Sequence, residues 1–493
     1  MPKRARQGKI SRKDYEARLA VVRAALVRMQ IELRKARVST LIVIAGEEAS
    51  GKGEIVNLLN AWLDPRGTNT FGFRAPTDEE RERPPMWRYW RSLPYRGRIG
   101  IYAGGWHGDA LRQEPRDAAG LREFDASLRR LARFDSELAA DGALIIKIWL
   151  HLSKRAQAAR MMELESDPRT AWRVSAEDWR SHRQYDYLAS LARRMRAATD
   201  LPAAPWEMLP AERERPRNLA VAEHILARFR AYHRTARRPR VPPRPAAVKP
   251  LAPAGRRRLL ALPLDQVLSS EEYEEKRDKW LGRLHRAFRE AALARRSVIL
   301  VFEGWDAAGK GGAIRRLSEA IDARDSRVIP VSKPTDEEKA HHYLWRFWRH
   351  VPRAGLVTIY DRSWYGRVLV ERIEGFAHRI EWRRAYAEIN EFERELVEHG
   401  AIVLKFWLQI SKSEQLHRFR ERETTEYKRH KMDPEDWRNR RKWDAYEVCV
   451  GDMLALTDTR HAPWHLIPAE NKRFARLEII RTTCREIRAA LGE

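Results

Sequence analysis

The sequence predicts an α/β chain built twice: two tandem domains, each a parallel sheet flanked by helices. Three observations carry this. A glycine-rich loop ending in lysine follows an apolar run at two places, Lys52 and Lys310, which are 258 residues apart. The same offset pairs Thr77-Asp78-Glu79-Glu80 with Thr335-Asp336-Glu337-Glu338, and Trp87 and Trp90 with Trp345 and Trp348. It also pairs Tyr102 with Tyr360, Trp106 with Trp364, Lys147 with Lys405, Trp206 with Trp464 and Pro210 with Pro468. Finally, short apolar runs alternate with charged helical stretches. That is the rhythm of βαβ crossovers and of a sheet covered on both faces.

In chain order, Tyr15–Ala36 has helical spacing of Leu, Val and Met and leads into a strand-like run at Val38–Ala45. Its counterpart is the helical stretch Tyr273–Ala294, leading into Val298–Phe302. Further strands of the second copy are expected at Arg327–Val331, Leu356–Tyr360, Ile402–Leu408 and Trp464–Ile467. Between the copies, the chain is rich in Pro, Ala and Arg, a composition that removes amide donors and favours extended backbone. The expected division is therefore 1–232, a linker at 233–258, and 259–493. After Leu408, the segment Ser411–Tyr446 is almost continuously charged and reads as helical, with Trp437 and Trp443 as anchors. It follows a core strand directly, which favours a basic lid over a phosphate-bearing ligand rather than a merely solvated face.

The 493 residues allow each half a full core. A formal net charge of +27 implies a polyanionic partner: nucleic acid, anionic lipid or a phosphate polymer. Two cysteines, Cys449 and Cys484, provide neither a disulfide framework nor metal-ligand spacing, so a reducing cytoplasm is expected. No apolar run approaches the ~18–20 residues of a membrane span, and the charged N-terminus is no secretory signal.

The chemistry concentrates in the second copy, which reads Val301-Phe302-Glu303-Gly304-Trp305-Asp306-Ala307-Ala308-Gly309-Lys310-Gly311-Gly312. Gly304 to Lys310 has phosphate-loop spacing. The backbone around Gly304, Ala308, Gly309, Gly311 and Gly312 can converge on phosphate oxygens, the following helix adds its dipole, and Lys310 supplies a point charge. The usual Ser or Thr after the lysine, a Mg2+ ligand, is Gly311 here. Asp306 is the candidate replacement, because Mg2+ favours one or two carboxylates with phosphate and water oxygens. Asp361, at the tip of an apolar strand in Tyr360-Asp361-Arg362-Ser363-Trp364-Tyr365-Gly366-Arg367, is the expected second metal carboxylate. Arg362 and Arg367 are candidates to clamp a transferring phosphoryl group. Glu371 reads equally as an acid behind the metal pair or as a surface residue. Lys333, Arg346 and Arg349 are ligand candidates, whereas Trp345 and Trp348 share a helix face and read as core.

The first copy keeps Gly46, Gly51 and Lys52, but Asp306 becomes Glu48, Gly312 becomes Glu54, and Arg367 becomes Asp109. Asp361-Arg362-Ser363 becomes Ala103-Gly104-Gly105. Phosphoryl transfer depends on charge neutralisation and positioning, so the first copy is expected to be a structural or anion-binding partner without turnover.

At these motifs the chain resembles family-2 polyphosphate kinases. The resemblance rests on Phe302–Gly312, Lys333-Pro334-Thr335, Tyr360–Tyr365 and Ile467-Pro468-Ala469-Glu470-Asn471-Lys472; it spans the second copy and, in degenerate form, the first. It implies P-loop kinase-like domains with a helical lid, dependence on Mg2+ (or Mn2+), and phosphoryl transfer between inorganic polyphosphate and a nucleotide. The tandem form resembles the subgroup that phosphorylates AMP to ADP with the second domain active. Carried over, Asp306 and Asp361 hold the metal, Lys310 grips the reacting phosphates and Arg362 stabilises the transferred group. Arg418, Arg422, Lys428 and Lys431 track the polymer from the lid. Lys405 reads as structural or anion-binding. The rivals are a polyphosphate:nucleoside-diphosphate kinase and, in another class, a nucleic-acid-binding protein with a vestigial loop, for which the basic charge and eighteen Trp would suit stacking. Intact Asp306, Lys310 and Asp361 speak against the latter. No membrane partner is expected, and faces left by duplication could support a homo-oligomer.

Overall fold

The computed structural model describes residues 9–236, 248–424 and 434–492. The chain forms two compact units. The first unit holds five strands: β1 (Thr40–Gly46), β2 (Thr68–Gly72), β3 (Ile99–Ala103), β4 (Leu144–His151) and β5 (Trp206–Pro210). They form a sheet of order β2-β3-β1-β4-β5 in which every pair is parallel. The second unit holds β6 (Val298–Gly304), β7 (Ser326–Pro330), β8 (Val357–Asp361), β9 (Ile402–Gln409) and β10 (Trp464–Pro468). Their order is β7-β8-β6-β9-β10, again all parallel. Position by position, this is the first sheet repeated. The five strands expected in the second half are these five, displaced at their ends by a residue or two.

Hydrophobic runs explain the sheets. Residues Val298–Phe302 of β6 are almost wholly buried, as are Ile402–Leu408 of β9 beside it. In the first unit, Ile42, Ile44, Ile146 and Ile148 of the central strands join Leu26, Leu59 and Phe229 from the flanking helices in one core. Parallel strands need such two-sided cover. Helix Arg12–Lys35 begins three residues before the expected Tyr15 because Ser11 caps it, its hydroxyl accepting from the Asp14 amide at 3.1 Å. The counterpart helix Ser270–Leu293 starts on a capping box formed by Ser269 and Glu272.

Thr77–Arg91 comes from the first half of the sequence but belongs to the second compact unit. Its Trp90 stacks on Trp348, with ring centroids 5.8 Å apart, and its Glu82 pairs with Arg295 and Arg353. Trp345 and Trp348 are buried, so the tryptophan face does pack in the core. In the stretch expected to be a linker, helix Pro253–Leu260 is formed and packs on helix Trp443–Thr457. Asp452 on that helix accepts from the amides of Leu251 and Ala252 at 2.7 and 2.8 Å, which pins the chain as it enters the second unit.

The described parts of the charged stretch after β9 are helical, as expected, and helices Pro434–Arg441 and Trp443–Thr457 part at Lys442. The helices described are Lys412–Thr424, Pro434–Arg441 and Trp443–Thr457, and Lys428 and Lys431 lie outside the described residues. Among the described residues, no helix is long and apolar enough to cross a membrane.

Lys405 is fully buried. It donates to Glu393 Oε2 at 2.8 Å, to the Tyr365 hydroxyl at 2.9 Å and to the Thr457 carbonyl at 2.7 Å, while Trp364 donates to Glu393 Oε1 at 3.0 Å. The first unit repeats the device with Lys147, Asp135, Trp106 and the Thr199 carbonyl. Of the two roles open to Lys405, this satisfied ion pair favours the structural one: all three ammonium protons are spent inside the core.

Candidate active site

The site is built on the carboxyl ends of β6 and β8, where parallel sheets bind ligands. Central β6 delivers the loop. Gly304 has φ +151°, and a Cβ there would press on the Leu408 carbonyl at 2.7 Å. Gly309 has φ +106° and opens helix Lys310–Ser318. Ala307 is left-handed at φ +64° without being glycine. The loop is thus held in a conformation that L-residues resist, as expected where backbone must curl around a ligand.

Lys310 Nζ donates to the carbonyls of Gly304 and Trp305 at 2.7 and 3.1 Å. Burial lowers its pKa, helped by Arg362 and opposed by Asp306 and Asp361. Asp361 ends β8 in register with Phe302 of β6, so it flanks the start of the loop. Arg362 follows it in a left-handed turn at φ +63°, a conformation that costs a non-glycine residue roughly 1–2 kcal/mol. Its guanidinium reaches Asp306 Oδ1 at 2.9 Å. Asp306 Oδ2 accepts from Asn439 Nδ2 at 2.9 Å. Burial disfavours the Arg362 charge, but Asp306 and Glu303 outweigh it and its pKa is raised. Asp306, Lys310, Asp361 and Arg362 therefore meet in one electrostatic cluster.

The other expected phosphate ligands divide. Lys333 is exposed beyond the carboxyl end of β7. Arg367 pairs with Glu371 at 3.1 Å and lies over the Tyr343 ring at 4.4 Å; arginine and acid hold each other as an i,i+4 pair. Arg422 is half-buried on helix Lys412–Thr424. Arg418 departs from expectation. It is 2% exposed, and its guanidinium donates to the carbonyls of Ala307, Ala308, Ala469 and Glu470 at 2.7–3.1 Å and to Glu414 at 2.5 Å. All five N–H groups are thus spent on the protein, so Arg418 is a brace for the loop and not a surface ligand.

Several contributors escaped the sequence reading. Glu303 is 5% exposed and accepts from Ser363 Oγ at 2.7 Å. Asn439 couples the helices beyond β9 to the loop, and Trp443, expected as an anchor of the charged stretch, does so by stacking on the indole of Trp305 with centroids 3.6 Å apart. Gln415 donates to the Asp306 carbonyl at 3.1 Å, as Gln157 does to the Glu48 carbonyl at 3.2 Å in the first unit. The signal for Glu303 was available, since it and Ser363 are both missing from the first copy, where Ala45 and Gly105 stand.

The first unit's loop is neutralised from within. Lys52 donates to Glu48 at 2.9 Å as well as to the Gly46 and Glu47 carbonyls. Glu54, in the place of Gly312, binds Arg217 at 2.7 Å and Arg160 and Arg173 at 3.1 Å. Burial pushes the Glu54 carboxyl up, but Arg217, Arg160 and Arg173 outweigh it and hold it below the usual carboxylate range.

A strained phosphate loop at the carboxyl edge of a parallel sheet, flanked by a strand-tip carboxylate, is the architecture of a P-loop phosphotransferase. The chain belongs to the polyphosphate kinase 2 family, whose model matches residues 9–237 and 267–492. It is 44% identical over 483 residues to a protein of Pseudomonas aeruginosa named polyphosphate:AMP phosphotransferase, covering 98% of this chain and 97% of that protein. A crystal structure from Pseudomonas aeruginosa described as a polyphosphate kinase 2 superposes with TM-score 0.87 at 42% identity, covering 99% of this chain and 98% of that one. A Ruegeria pomeroyi protein named NDP-polyphosphate phosphotransferase 3 is 40% identical over 202 residues, 40% of this chain and 67% of that protein.

Proposed function

We propose that the second unit transfers the terminal phosphoryl group of inorganic polyphosphate to AMP, giving ADP and a polymer shorter by one phosphate. An AMP phosphate oxygen attacks the terminal phosphorus, and the bridging P–O bond to the polymer breaks. The observation that carries this reading is the convergence of Asp306, Lys310, Asp361 and Arg362 on one edge of the sheet, beside the naming of relatives that span the whole chain.

The side chains take distinct tasks. Lys310, on the loop, faces the phosphates that react. Arg362 neutralises charge on the phosphoryl group in flight, where fixed cations act most strongly. Arg422 extends the positive path along the polymer, and Lys333 does so from the segment after β7; Arg418 contributes by keeping the loop in shape. The donor set also suits a divalent cation such as Mg2+ or Mn2+: Asp306 and Asp361 are carboxylates, hard oxygen donors, and each carboxylate oxygen of Asp306 keeps lone-pair capacity beyond its single bond to Arg362 or Asn439. When bound, such an ion supplies neutralisation of the phosphate oxygens.

The first unit is non-catalytic in this reading. Its counterparts of Asp361 and Arg362 are Ala103 and Gly104, and its basic residues already hold Glu48 and Glu54.

The deciding experiment measures ADP from AMP, long-chain polyphosphate and Mg2+, beside Asp306→Asn and Asp361→Asn. ADP formation abolished by either change supports the reading. Turnover with ADP or GDP but not AMP would make the protein a nucleoside-diphosphate kinase, and no turnover with any acceptor would refute phosphoryl transfer.

A further inference from the structure

Two bonds dock the turn after β8 onto the end of β6. The Arg362 amide donates to the Phe302 carbonyl at 3.0 Å, and Ser363 Oγ donates to Glu303 at 2.7 Å. The first bond recurs in the other unit, where the Gly104 amide donates to the Ile44 carbonyl at 2.8 Å. The second cannot recur, because Ala45 and Gly105 stand there.

A positive φ is nevertheless kept at the first residue of the turn, +63° at Arg362 and +74° at Gly104, and the turns part at the next residue, where φ is −156° at Ser363 and +56° at Gly105. Glycine enters this region freely and arginine does not. So the unit that keeps a side chain at this point carries an extra bond, and the unit without the side chain has lost both partners of that bond. Glu303 and Ser363 are 5% and 3% exposed, and a carboxyl buried at the end of a core strand is costly unless it is used. Folding does not demand it, since the first unit forms the same sheet with Ala45.

We propose that Glu303 is a positioning residue for the transfer: through Ser363 it clamps the left-handed turn so that the Arg362 guanidinium stays above the phosphate loop against Asp306. The proposal rests on the reading of Arg362 as the group that meets the transferring phosphoryl.

The test measures kcat and KM for polyphosphate in the full chain carrying Ser363→Ala, Glu303→Ala, Glu303→Gln, Arg362→Ala or Ser363→Ala with Arg362→Ala, with melting curves to confirm folding. Ser363→Ala and Glu303→Ala should each lose about thirtyfold or more in kcat, within the range a misplaced group costs, with KM within about threefold. Glu303→Gln should stay within about fivefold of the parent, because its amide carbonyl still accepts from Ser363. Adding Ser363→Ala to Arg362→Ala should cost less than about twofold, since no guanidinium is left to position. A full additional loss in that background would overturn the proposal, as would parent-like kcat in Ser363→Ala and Glu303→Ala alongside an inactive Arg362→Ala. Parent-like turnover by Arg362→Ala would refute the reading of Arg362 itself, and this inference with it.

Discussion

The indole of Trp305 lies flat against that of Trp443, centroids 3.6 Å apart and planes 6° apart. One ring belongs to the phosphate loop and the other opens helix Trp443–Thr457. Asn439, just before that helix, holds Asp306. In the first unit these positions are Glu47 and Tyr185. There Glu47 accepts from Trp149 and His151, and Tyr185 donates to the Leu152 carbonyl, so no ring joins loop to helix through this pair. The stack is therefore a coupling particular to the unit with the complete acidic and basic set.

Trp443→Ala should destabilise the second unit by about 3 kcal/mol, the usual cost of deleting a buried indole. It should also lower kcat, because the Asn439 contact to Asp306 loses its support. Thermal unfolding followed by initial-rate assays of ADP formation would check both.

The two loops should answer differently to the same change. Asp361→Asn is expected to cut turnover about a hundredfold or more, as loss of a charged transfer group does, with unchanged circular dichroism. Lys310→Ala should do likewise, whereas Lys52→Ala should leave turnover within about twofold, since Lys52 is already engaged by Glu48. Steady-state kinetics on the three variants would separate the halves.

Arg418 and Arg422 share a helix but should separate in salt. Arg422→Ala should reduce the slope of log KM for polyphosphate against log salt by about one unit, as removing one phosphate contact does. Arg418→Lys should leave the slope unchanged while lowering stability by about 3 kcal/mol, because a lysine cannot reproduce the guanidinium's bonds to four carbonyls. Kinetics at graded salt, with melting curves, would check the contrast.

Glu54 should give the first unit an acid-sensitive component of stability. Its folded pKa is depressed by its arginine partners. The contribution is therefore full above the unfolded carboxyl value and is lost as pH falls through the depressed one. Glu54→Gln should cost about 2 kcal/mol at neutral pH, the penalty for leaving buried Arg217 short of its charge partner, and progressively less as pH falls from the ordinary carboxyl value of about 4.3 through the depressed folded one. Melting temperatures of parent and variant across that range would converge in acid.

Much of this was legible in the sequence because the signals are local. Apolar runs marked the second unit's strands, glycine spacing marked both loops, and the duplication marked where the halves diverge. What escaped depends on contacts distant in sequence. Arg418 sits in a run of charge that looks identical whether its members face water or backbone carbonyls. The Arg367–Glu371 pair was readable from its i,i+4 spacing, yet Arg367 reads alone as a phosphoryl clamp and Glu371 alone as an acid behind the metal pair or a surface residue. The placement of Thr77–Arg91 with the second unit left no local mark, since the tryptophan block reads as core in either home. Glu303 and Ser363 diverge from the first copy together, yet an acid next to a loop glycine reads as part of the motif until its bond to Ser363 is seen.

Lys147 and Lys405 are closed off from solvent, while no other described lysine is fully buried. An amine-reactive label applied to the native protein should therefore pass these two by. Each would take up label only when its own sheet opens, and the peptides carrying them are distinguishable by mass. The chain thus carries an endogenous clock for each half, able to report which of two nearly identical folds comes apart first.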